Sequence, residues 1–83
     1  MNGIDRLQAV AKGLGLESQD GQWSKAFVHW FDHPMPSEVE AAGREEGLAY
    51  FDAPATPHMP AHHGFIDRDR NVGITFRRGS EGA

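Results

Sequence analysis

Two stretches of this chain end in the same way. WFDHPM at residues 30–35 returns as YFDAPA at residues 50–55, each running aromatic, Phe, Asp, any residue, Pro. An Asp with a proline two positions on favours a turn, and proline has no N–H to continue a ladder of hydrogen bonds. The repeat therefore predicts two extended segments closed by the same local event. It also bears on KAFVHWF, residues 25–31, which reads in two ways. As a helix, Trp23, Phe27, Trp30 and Phe31 would share a face, with His29 and His33 one turn apart. As a strand, Phe27, His29 and Phe31 would face one way and Ala26, Val28 and Trp30 the other. Aromatic enrichment, short length and the repeat favour the strand.

The remaining elements follow from periodicity and punctuation. Ile4, Leu7, Val10, Ala11 and Leu14 recur at helical spacing, which predicts an amphipathic helix over 3–14 with Asn2 as cap, Asp5 at the positive end, and Gly13 and Gly15 as stops. ESQDGQ, 17–22, reads as a polar connector. SEVEAAGREEG, 37–47, carries a capping box in Ser37 and Glu40, an i,i+4 pair in Glu40 and Arg44, and Gly47 at the stop. Its apolar content, Val39, Ala41 and Ala42, is slight, so it is expected on the surface. LAYFD, 48–52, reads as a short strand, and residues 53–64 as an extended, proline-stiffened loop. GFID and VGITFRR form a hairpin around RDRN, with Val72, Ile74 and Phe76 towards the core and Thr75 and Arg77 outwards. Residues 79–83 read as a flexible C-terminal tail.

The fold expected is α+β, a single domain over 1–78. Two short helices pack on a three- to four-stranded mixed or antiparallel sheet that ends in a β-hairpin. The helix between the first two strands would permit a parallel crossover. At 83 residues with no cysteine, such a domain has a small core and neither disulfides nor thiolate metal sites. It must draw on Trp23, Phe27, Trp30, Phe31, Tyr50, Phe51, Phe65 and Phe76. The start of the chain has no basic and apolar leader pattern and no segment long enough to span a bilayer, so cytoplasmic residence without a membrane partner is expected.

Three classes of function compete. PHMPAHHG, 57–64, places His58, His62 and His63 together, and with His33 (or His29 or Asp32) they have the chemistry of a site for zinc or another divalent metal. Pro57 and Pro60 remove the helix that would make His58 and His62 a natural ligand pair, and no H-E-x-x-H signature is present. A metal-dependent enzyme or metal-stabilised domain is thus the alternative reading. A histidine base at His63 with Asp67 and Asp69 lacks any surrounding framework. Ser18, Ser24, Ser37 and Ser80 suggest no nucleophile.

Arg68, Arg70, Arg77 and Arg78 could contact phosphates, a second alternative. The net charge of −4, concentrated in residues 1–47, argues against a polyanion as the main partner. The leading expectation is a small soluble binding or regulatory accessory protein. It would act by contact with a protein partner or a second copy, without catalysis or cofactor. Trp30, Tyr50, His58, Met59, His62 and His63 are its candidate contact residues.

Overall fold

The computed structural model describes residues 3–23 and 26–78. The Asn2 cap, Ser24, Lys25, Ser80 and the 79–83 tail lie outside the described residues. Seven elements follow in order: α1 (Gly3–Gly13), β1 (Gln19–Trp23), β2 (Ala26–Phe31), α2 (Ser37–Glu45), β3 (Ala49–Ala53), β4 (His62–Asp67) and β5 (Val72–Arg77). The class is α+β, with two helices and a mixed sheet of five strands rather than three or four, in the order β1-β2-β5-β4-β3.

The extra strand is β1, in the stretch expected to be a polar connector. Gln, Asp and Gly have little intrinsic strand preference, and no apolar alternation marks the segment. It is extended because it pairs antiparallel with β2, Gln19 opposite Trp30 through Trp23 opposite Ala26. The strand reading of residues 26–31 holds. The parallel neighbour of β2, however, is the last strand, β5. Since β5 is antiparallel to β4 and β4 to β3, β3 runs the same way as β2 but with two strands between them. The α2 crossover thus leaves a gap that the β4–β5 hairpin fills. Its turn uses Asn71 at φ 53°, a left-handed conformation that Asn tolerates better than most residues.

Both helices cover one face of the sheet. Ile4, Leu7 and Ala11 of α1 and Val39 and Ala42 of α2 bury against Phe31, Phe65, Ile74 and Phe76. Phe31 and Phe76 are direct neighbours on parallel strands, and their rings stack at 4.8 Å. Leu14, assigned to the buried face of the first helix, lies past its end and is exposed. The second helix is part of the core rather than a surface element, because Gly43 brings it down onto Phe65. A Cβ at Gly43 would approach that ring to 2.5 Å.

The Ser37–Glu40 capping box does not form. Pro36 takes the cap position with extended backbone and no side-chain bond, and its carbonyl accepts from the N–H groups of Val39 and Glu40. Ser37 is the first helical residue, so its hydroxyl turns to Glu38 and the Glu40 carboxylate pairs with Arg44 at 2.8 Å. Gly47 does follow the helix, at φ 67°.

The repeated motif produces the same event twice, in opposite orientations. Phe31 faces the helices, whereas Phe51 aligns across the sheet with Gly64, Thr75 and Trp30 on the other face. The two aspartates then secure consecutive arginines at the end of β5. Asp32 accepts from Arg77 at 2.5 Å, and Asp52 pairs with Arg78. Both arginines thus lie at the end of the central strand of the sheet.

Candidate functional site

The helices leave one face of the sheet uncovered. Reading across the strands, one row of residues on that face is Gln19, Trp30, Thr75, Gly64 and Phe51. The next is Gly21, Val28, Gly73, Ile66 and Ala49. In the first row Thr75 and Gly64 lie between the bulky Trp30 and Phe51, and in the second Gly73 of the central strand lies between Val28 and Ile66. A sheet patterned in this way is hollow along its middle. The Gly64 position is fixed by the backbone, since a Cβ there would run into the Ile74 carbonyl.

The hollow is a groove of about 330 Å³ lined by Trp23, Val28, Phe51, His62, Ile66 and Thr75 together with Ala26, Gly73 and Arg68. Its walls are aromatic. Trp23 and Trp30 lie 5.7 Å apart, and His62 makes a T-shaped contact with each of them at 5.8 Å. Phe51 stands 6.4 Å from His62 on the far side. All four are half-buried rather than sealed. Thr75, expected to face solvent, does point away from the helices, but it is 0 % exposed. Its Oγ1 is buried with no hydrogen-bond partner among the described residues. A buried hydroxyl without a partner is costly.

Of the six candidate contact residues, Trp30 and His62 meet on this face. Tyr50 and His63 share the opposite face, where the tyrosine hydroxyl and His63 Nδ1 are 2.8 Å apart. His58 and Met59 belong to neither cluster. They sit in a turn held by Thr56, whose hydroxyl accepts from both of their N–H groups. The proline loop thus folds back on itself instead of running extended.

The four metal candidates are dispersed for a simple reason. His62 and His63 are neighbours on β4, and neighbouring strand residues point to opposite faces. His62 donates from Nδ1 to the Pro60 carbonyl at 2.9 Å and His33 to the Pro34 carbonyl at 2.6 Å. Among the described residues, no group of three or more His, Asp or Glu is placed to hold a metal ion. The four arginines also divide. Arg68 and Arg70 lie in the β4–β5 turn, while Arg77 and Arg78 lie at the other end of β5. Three of them meet carboxylates: Arg70 with Asp67, Arg77 with Asp32 and Arg78 with Asp52. The Arg78 bonds hold the Asp52 carboxyl below its ordinary value, against the opposing effect of desolvation. Arg68 has no ion pair among the described residues.

A third cluster lies under α1. His29 is 9 % exposed, its Nδ1 is 2.9 Å from Asp20 Oδ1, and Gln8 approaches the same nitrogen. Desolvation pushes the Asp20 carboxyl up, but bonds from His29 and Ser18 outweigh it and leave the group below its ordinary value. This cluster ties β1 to β2 and to the first helix.

Sequence reasoning missed Trp23, Val28, Phe51, Ile66 and Thr75 as site residues. The alternation from Trp30 reaches Val28, but Trp23 joins the face only through a strand that carried no signal. No protein-family model, curated protein or solved structure matches the chain. No helix of the described residues is long and apolar enough to cross a membrane.

Proposed function

We propose that this protein is a binding module without catalytic chemistry of its own, and that it engages another protein through the helix-free face of its sheet. The observation that carries the reading is the uncovered groove lined by Trp23, Phe51 and His62, with Trp30 packed against Trp23 and His62. Aromatic side chains in such concave settings supply most of the energy at protein interfaces, and a sheet whose second face is apolar gains by covering it. The three arginines that meet carboxylates have much of their charge neutralised locally, which leaves little uncompensated charge to hold a nucleic acid.

The test places a photo-crosslinking amino acid at Phe51, and separately at the exposed Leu14, in the chain expressed in its own host. A discrete protein adduct from position 51, absent from position 14 and lost when Trp30→Lys is added, is the expected result. Equal crosslinking from both positions, or none from position 51, contradicts the reading.

A further inference from the structure

We propose that the groove on the helix-free face is also a site for a small ligand with a flat apolar body and a single carboxylate. This rests on that face being a binding face, and asks in addition what chemistry its hollow selects. Three independent features converge. The volume, about 330 Å³, lies at the lower end of the roughly 300–1,000 Å³ range of small-molecule sites. The walls are aromatic and aliphatic, which suits a flat apolar body lying along β5 over Gly73.

Two polar groups on the lining have no partner among the described residues. Thr75 lines the groove, and its Oγ1 is buried and unbonded among the described residues; once the overlying side chains part, an oxygen of the ligand's carboxylate would satisfy it. Arg68, at the mouth beside Ile66 and Gly73, meets no carboxylate among the described residues at ion-pair distance, unlike Arg6, Arg44, Arg70, Arg77 and Arg78. A guanidinium free to form two parallel hydrogen bonds selects a carboxylate in preference to a neutral group. Arg68 also borders a polar hollow lined by Glu46, Asp67 and Asp69. The opposite end of the groove offers no competing charge, because Arg77 is bonded to Asp32.

The experiment titrates the purified chain with phenylbutyrate and with its neutral amide, and follows backbone and indole N–H signals by NMR. Saturable shifts at Gly73, Thr75 and the Trp23 and Trp30 indoles are expected with the acid. Affinity should fall about tenfold for the amide and for Arg68→Ala, as loss of one charge-assisted pair implies. Thr75→Val, close in shape, should weaken binding to a smaller extent with the fold intact.

The proposal is overturned by the absence of a saturable shift or by shifts centred elsewhere. Equal binding of acid and amide, or unchanged affinity in Arg68→Ala, also overturns it. Because the titration contains no partner protein, a failure here leaves the crosslinking result untouched, and the two readings fail separately.

Discussion

Trp30 and His62, on strands separated by β5, meet edge to face at 5.8 Å across the helix-free face of the sheet. Between their strands lies Thr75, fully buried although no helix covers it. The contact turns three separated segments into one wall. Edge-to-face pairs of this kind contribute about 0.5–1.5 kcal/mol beyond simple burial. A double-mutant cycle of Trp30→Ala and His62→Ala, read by urea unfolding, should return a coupling energy in that range.

The cluster of Asp20 and His29 makes stability sensitive to acid. The Asp20 carboxyl is held below its ordinary value of 3.8 in the folded chain. Its contribution is therefore fully present above that pH and is lost as the pH falls through the lower, folded value. Unfolding followed between pH 6 and pH 2 should show stability falling at the acid end, below 3.8, with a shallower fall in Asp20→Asn. At neutral pH the same variant should lose about 1 kcal/mol or less, since the carboxylate is partly exposed and screened.

Gly43 sets how closely α2 approaches the sheet. A methyl group there would meet the Phe65 ring at 2.5 Å, so Gly43→Ala should cost about 1–3 kcal/mol despite its better helix propensity. Adding Phe65→Leu should recover part of that loss. The double variant, measured by denaturant unfolding, should be more stable than the sum of the single changes implies.

The placement of the histidines has a consequence for metals. His62 and His63 face opposite sides of β4, and His33 and His62 each use Nδ1 on a nearby carbonyl. A metal bound tightly to the folded state would raise the melting temperature by mass action. Neither a chelator nor added zinc should shift the melting temperature of untagged protein. A shift with either would mean that these side chains rearrange around an ion.

Much of the architecture was legible in residues 3–14, 26–31, 37–47 and 64–77, where apolar spacing and Gly or Pro punctuation agree. What escaped was decided by tertiary contact. QDGQW becomes a strand only because β2 offers it an edge, and Ser37 fails as a cap because the extended Pro36 takes the cap position and leaves Ser37 as the first helical residue. The face assignments were harder still. The Trp-Phe and Tyr-Phe repeats look equivalent, yet Phe31 enters the core and Phe51 the groove, since that choice depends on strand register. Thr75 shows the same limit: its outward direction followed from alternation, but its burial depends on neighbouring strands, which alternation along one strand does not reveal.

The binding role of the helix-free face is tested most directly by hydroxyl-radical footprinting of the chain in its own host cells and after purification. Trp23 and Trp30 are half-buried and Tyr50, on the other face, is 50 % exposed. All three should be oxidised in the purified protein. In cells, the two tryptophans should become protected while Tyr50 continues to react. Identical oxidation of Trp23 and Trp30 in both settings would contradict a partner on that face.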